Sequence, residues 1–255
     1  MRPLIAALIL LVASCEPSAR GRSAARTSEL SVEIASAAPE PEPPAAPDPG
    51  PIRVETLELP SEPPTFVLRG GPRGPALLVF LHGMCGHGLG YAQSFQFSAA
   101  KKGTLIAPQG DLRCAQGPRS SWSGDIEKLD RRISKTFRAL GLGESLGDIV
   151  LIGYSQGATR AEQLARRYPE RYTRLISIGA PRPPSAKGLG HLRAALMMAG
   201  ERDRQDLMKK GERSLRAAGI PVSFQEIPEA THGAMGPTPE KTMGQALDWL
   251  FTRSR

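Results

Sequence analysis

Residues Asp148-Ile149-Val150-Leu151-Ile152-Gly153-Tyr154-Ser155-Gln156-Gly157-Ala158 leave the backbone few choices. The run Ile149–Ile152 reads as a strand covered on both faces, and the polar–apolar mixture from Gln156 onward reads as the start of a helix. Between them, Gly153-Tyr154-Ser155-Gln156-Gly157 must turn the chain from strand to helix within a residue or two. Only glycine on either side leaves room for so sharp a turn and for close packing of helix on strand. A serine at the apex of such a turn is presented to solvent at the end of a strand. The pentapeptide alone is weak evidence: with 27 glycines in 255 residues, chance supplies about 0.2 copies. Its meaning depends on whether the rest of the chain brings a base, an acid and oxyanion donors to the same place.

The chain divides into three parts. Residues 1–14 have the form of an export signal: Arg2 at the positive end, an apolar core from Leu4 to Val12, and small Ala13 and Ser14 before Cys15. The apolar run is too short for a spanning helix. Val12-Ala13-Ser14-Cys15 resembles a bacterial lipobox, which implies cleavage before Cys15, its lipidation, and a protein anchored to a membrane rather than crossing it. The other reading is a plain secretory signal with an incidental cysteine. In a Gram-negative cell the lipoprotein resemblance implies the outer membrane, because Glu16 rather than aspartate follows the cysteine. Residues 15–52 carry eight prolines (Pro17, Pro39, Pro41, Pro43, Pro44, Pro47, Pro49, Pro51) among Ala, Ser and Glu. Too little apolar surface is present to offset the entropy of ordering, so the segment reads as a disordered tether reaching roughly 35 Å.

Residues 53–255 hold 29 basic and 19 acidic side chains. The basic groups are scattered (Arg131/Arg132, Arg166/Arg167, Lys209/Lys210), as on solvated helix faces, and not gathered into the stripe a nucleic-acid interface needs. No nucleic-acid partner is expected. The three cysteines have no metal-ligand spacing. Strand and helix patterns alternate: strands at 53–59, 65–68, 76–81, 104–107, 149–152, 174–178, 195–199 and 222–227, and helices at 89–102, 125–140, 156–167, 205–218 and 239–251. That order predicts a mostly parallel sheet with helices on both faces.

Functional groups of an open parallel sheet gather at the carboxyl ends of its strands. Four histidines can be tested against that rule. His82 and His87 follow the 76–81 strand, whereas His191 precedes a strand and falls on the opposite edge. His232, in Ala230-Thr231-His232-Gly233, is the only histidine after Ser155 that leaves a strand at the proper end, so it is the candidate base. For the acid, the strand ending at Ala199 runs into Gly200-Glu201-Arg202-Asp203. Asp203 is preferred, with Glu201 and Asp206 as alternatives. The order Ser155, Asp203, His232 suits a serine nucleophile with a base and an orienting acid. Oxyanion donors would be the N–H of Gln156 and one from the glycine-rich loop His82-Gly83-Met84-Cys85-Gly86-His87-Gly88, taken as Met84. That loop matches neither G-x-G-x-x-G nor G-x-x-x-x-G-K-[ST], so it gives nucleotide binding little support.

Together, His-Gly after an apolar strand, Gly-Tyr-Ser-Gln-Gly, Gly-Glu-Arg-Asp and Thr-His-Gly resemble the α/β-hydrolase superfamily, with the nearest likeness to small esterases and dienelactone-hydrolase-like members. The resemblance spans residues 53–255. It implies an eight-stranded sheet whose second strand is antiparallel. It also implies a small-molecule ester as substrate, no metal or other cofactor, and roles for Ser155 as nucleophile, His232 as base and Asp203 as acid. His82 in such proteins shapes its loop. Cys85 in the oxyanion loop and Cys114 after the next strand face one edge of the sheet. In an exported protein they are expected to be bridged, the alternative being two buried thiols. Segment 179–193 is short where larger relatives insert a helical lid, which predicts an open site. Trp122 is the aromatic placed nearest the pocket, unless it belongs to the core. Beside the serine hydrolase stand two other readings: a non-catalytic binding lipoprotein of this fold, and a triad enzyme diverted to acyl transfer or haloperoxidase chemistry.

Overall fold

The computed structural model describes residues 52–71, 74–115, 117–143 and 147–253. The leader at 1–14, Cys15 and all of the tether before Ile52 lie outside these residues. In chain order the elements are β1 (Val54–Leu57), β2 (Thr65–Leu68), β3 (Ala76–Leu81), α1 (Gly88–Ala92), α2 (Gln96–Lys102), β4 (Gly103–Pro108), β5 (Leu112–Arg113), β6 (Ser120–Ser121), α3 (Ile126–Ala139), β7 (Ile149–Tyr154), α4 (Gln156–Arg167), β8 (Tyr172–Ile178), β9 (Ala194–Gly200), α5 (Gln205–Ala217), β10 (Val222–Ile227) and α6 (Pro239–Thr252).

Eight strands form one sheet in the order β1-β2-β4-β3-β7-β8-β9-β10. β2 runs antiparallel to both neighbours, β1 and β4. Every pairing from β4 through β10 is parallel. Side chains of the central strands alternate between two cores, as the two-residue period of a strand requires. Val79, Leu81, Ile149 and Leu151 face α3, α4 and α5. Leu78, Phe80, Val150 and Ile152 face α1, α2 and α6. Burying each such side chain stabilises the fold by about 1.5–3 kcal/mol. Because both faces are covered, the strand ends are the edges left for a site. Among the described residues no helix is long and apolar enough to cross a membrane.

Three local features depart from the sequence reading. The helix expected over 89–102 is broken into α1, a 3-10 turn at Gln93–Phe95, and α2. The break is stabilised from outside, because the Glu240 carboxylate of α6 accepts the N–H groups of Phe97 and Ser98 at 2.8 and 2.9 Å. An acid supplied by another helix thus caps α2. The loop after β4 contains the short hairpin β5–β6, which no periodicity announced. Arg132, expected on a solvated face, is 2% exposed. Its guanidinium donates to the carbonyls of Gln109, Pro63 and Pro64, and burial pushes its pKa down to about 10.

Gly153 and Gly157, which flank the strand-to-helix elbow at Ser155, are required by contact. A Cβ on Gly157 would lie 2.0 Å from the Leu81 carbonyl oxygen, and one on Gly153 would lie 2.5 Å from Cα of Ala158. Neither neighbour can yield, since both are backbone. Gly157→Ala is therefore expected to destabilise the domain by at least about 3 kcal/mol, read as a lower midpoint of urea unfolding. A midpoint equal to that of the wild type would show that α4 does not rest on β3 as described.

Candidate active site

Ser155 stands at the carboxyl end of β7 with φ 52° and ψ −113°. This left-handed backbone is costly for a residue with a Cβ, about 1–3 kcal/mol, and persists only where the surroundings impose it. Here β7 and α4 impose it, and the serine N–H is held by the Ile178 carbonyl at 2.8 Å.

The two downstream candidates meet this serine. Ser155 Oγ lies 3.0 Å from Nε2 of His232. On the other side of the ring, Nδ1 lies 2.8 Å from Oδ2 of Asp203. A carboxylate only accepts, so Nδ1 carries the proton and Nε2 is the free acceptor toward the serine hydroxyl. The His232 side chain is 51% exposed and that of Asp203 9%, which leaves the ring open to the cleft and the carboxylate shielded behind it. Oδ1 of Asp203 accepts the Arg204 N–H at 2.7 Å. The alternatives do other work: Glu201 accepts the Glu229 N–H at 2.8 Å, and Asp206 lies in the first turn of α5. His191 contacts the Tyr172 carbonyl at 3.2 Å, far from the serine along the sheet.

Two tyrosines that sequence reasoning missed hold the histidine loop. Gly233, next to His232, donates its N–H to the Tyr154 hydroxyl at 2.6 Å. Its carbonyl accepts the Tyr91 hydroxyl at 2.9 Å. The rings stack with centroids 5.1 Å apart, and burial raises Tyr154 to about 12. Tyr154 is the variable residue inside the Gly-x-Ser-x-Gly turn, so its role carried no motif signal.

The 82–88 loop passes over the elbow, where a Cβ on Gly83 would sit 3.4 Å from Cβ of Ser155. Met84 is at the tip and 67% exposed, so its side chain anchors nothing, and the loop is held through its flanks. On one flank, His82 is buried with Nδ1 2.7 Å from the Gly83 carbonyl and Nε2 accepting the Gly110 N–H at 2.9 Å. Trp122 is 4% exposed, packs tilted against the His82 ring with centroids 4.7 Å apart and donates its indole N–H to the His82 carbonyl at 2.8 Å. It is thus a core support for the loop, while Tyr91 and Tyr154 are the aromatics of the pocket. On the other flank, Cys85 and Cys114 are disulfide-bonded. Ser120 of β6 donates its N–H to the Gly86 carbonyl at 3.1 Å. Gln109 spans the join, accepting from Gly88 N–H at 2.9 Å and donating to the Gly86 carbonyl at 3.1 Å.

The cleft above Ser155 has a volume of about 910 Å³ and is bordered by Met84, Tyr91, Arg119, Tyr154, His232 and Met235. Residues 179–193 contain no helix, so nothing from that connection covers it. The N–H of Gln156 heads α4, at the positive end of the helix dipole, where backbone N–H groups lack intrahelical acceptors.

Burial lowers the His82 pKa from 6.5 to about 4. The unfolded chain therefore binds this proton first as pH falls, and the stability that the neutral ring confers is complete above about pH 6.5 and lost as pH drops toward 4. Between pH 7 and pH 5 the wild type should lose about 2 kcal/mol more unfolding free energy than His82→Gln, measured by urea denaturation. Parallel pH profiles for the two proteins would contradict the buried neutral ring.

No protein-family model matches the chain, and no curated protein matches it in sequence. Solved structures do resemble it. Naproxen esterase from Bacillus subtilis superposes with a TM-score of 0.57 at 14% identity, over 79% of this chain and 92% of that one. An S-formylglutathione hydrolase from Agrobacterium tumefaciens gives 0.58 at 12%, over 79% and 95%. Fluorophosphonate-binding serine hydrolase F of Staphylococcus aureus gives 0.57 at 15%, over 80% and 99%. At such identities the likeness is one of architecture, and the chain has the α/β-hydrolase fold found in these esterases and serine hydrolases.

Proposed function

We propose that the protein is a serine hydrolase that cleaves a small-molecule carboxylic ester through an acyl-enzyme on Ser155. The observation that carries this reading is the unbroken hydrogen-bonded chain from Ser155 Oγ through His232 to Asp203. As Ser155 Oγ attacks the ester carbonyl, Nε2 of His232 takes its proton. Asp203 holds the ring in the tautomer that leaves Nε2 free and stabilises the imidazolium that forms. The carbonyl oxygen becomes an oxyanion, for which the N–H groups of Met84 and Gln156 are the donors, aided by the α4 dipole. His232 then returns the proton to the leaving alcohol. Water, activated by the same histidine, releases the acid from Ser155. A cleft left open by the 179–193 connection suits compact or short acyl groups that need no lid.

Export and anchoring through a lipidated Cys15 belong to the same proposal and rest on the leader and lipobox-like sequence. Loss of palmitate labelling in Cys15→Ser, with retention in the wild type, is the expected result.

A fluorophosphonate probe should label the wild-type domain at Ser155 and leave Ser155→Ala unlabelled. Asp203→Asn should lower kcat by about 10²–10⁴-fold, with Glu201→Gln and Asp206→Asn within about threefold of wild type. Labelling that survives Ser155→Ala would overturn the nucleophile, and a large loss confined to Glu201→Gln or Asp206→Asn would overturn the acid.

A further inference from the structure

The cleft carries a charge that the acyl-enzyme chemistry does not use. Among the side chains bordering it, Arg119 is the one permanent cation and none is acidic. Among the described residues, its guanidinium has no ion-pair or hydrogen-bond partner. It is near enough to Tyr91 to pull down the pKa that burial raises, and Tyr91 touches the residue next to His232.

Arg119 also differs from an ordinary surface arginine in its base. The buried Gln109 amide donates to the Pro118 carbonyl at 3.2 Å and to the Ser120 hydroxyl at 2.7 Å, gripping the chain on both sides of Arg119. The Arg119 carbonyl accepts the Cys114 N–H at 3.0 Å. Cys114 is covalently joined to Cys85 of the loop over the serine. The backbone of the arginine is thereby fixed relative to Ser155, and only its side-chain torsions need ordering when an anion arrives. An exposed guanidinium on a fixed base, in a cleft without acids, is suited to a planar two-pronged contact with an oxyanion.

We propose that Arg119 is a specificity-determining residue and that the preferred substrates are esters bearing an oxyanion, carboxylate or phosphate, on the part of the molecule away from the scissile bond. The proposal rests on the hydrolase reading. It adds no step to the chemistry: Arg119 binds the remote anion in ground and transition states alike, so its contribution lies in kcat/KM, largely through KM.

The test compares three 4-nitrophenyl esters of equal chain length: the neutral hexanoate, the adipate monoester with a terminal carboxylate, and the 6-phosphooxyhexanoate. Wild type should turn over at least one anionic ester with kcat/KM about tenfold or more above the neutral one, and added salt should shrink the gap. Arg119→Gln should lower kcat/KM for that ester by about 10–100-fold and leave the neutral ester within about twofold. Arg119→Glu should invert the preference. Arg113→Gln, on the same hairpin and in the neighbouring groove that Arg119 also borders, but not on the cleft itself, should leave the ratio unchanged. The two anionic esters show which oxyanion is favoured. Equal turnover of neutral and anionic esters by wild type, or an Arg119→Gln loss shared by all three, would overturn the proposal and leave the hydrolase reading intact. No turnover of any ester, with no fluorophosphonate label on Ser155, would overturn both.

Discussion

The packing of α4 against β3 and β7 fixes everything else at this site. Gly157 and Gly153 let the helix come so close to the strands that a single methyl on either would meet backbone. That contact holds Ser155 in a conformation its own side chain disfavours. The strain aims Oγ out of the sheet edge toward Nε2 of His232, and it puts the serine at the positive end of α4. A relaxed serine would give up both. The local cost is met by the two large apolar cores of the sheet, which is why a strained serine can stand at the end of the central strand β7 without loosening the fold.

Around this fixed point the remaining groups are held by their neighbours rather than by their own side chains. The His232 loop is clamped at Gly233 by hydroxyls from Tyr91 and Tyr154. The loop over the serine is clamped by buried His82 and Trp122 on one flank, and by Gln109, β6 and the Cys85–Cys114 bond on the other. Buried polar groups of this kind are costly when unpaired, so a glutamine satisfied on every side gives the loop a single low-energy position. The same glutamine fixes the backbone of Arg119. The loop over the serine, the disulfide and the Arg119 backbone are in this sense one structure.

Much of this was legible in the sequence because its physics is local. Continuous apolar runs separated by amphipathic stretches specify a parallel sheet with two covered faces, and the sheet was recovered strand by strand. Ser155, His232 and Asp203 could be singled out by their position after strands, and the structure brings the three within hydrogen-bonding distance. What was missed depends on contacts between distant segments. Glu240 caps a helix more than 140 residues earlier in the chain, and Arg132 is buried because carbonyls from two other loops surround it. Tyr154 and Gln109 gain their roles only once Gly233 and Gly86 are beside them. The β5–β6 hairpin, two residues on each strand, is too short to show a period. Trp122 illustrates the limit from the other side: its nearness to the elbow was readable, but whether it faced the pocket or the core was decided by His82.

The central claim is that Ser155 forms a covalent acyl intermediate with His232 as its base. Rapid acid quench of the domain with a 4-nitrophenyl ester, followed by peptide mass spectrometry, tests it most directly. The account predicts a burst of nitrophenol of about one equivalent, with the acyl mass on the peptide containing Ser155. His232→Ala should suppress both. Steady ester hydrolysis with no burst and no acyl adduct on that peptide, or an adduct on another residue, would contradict it.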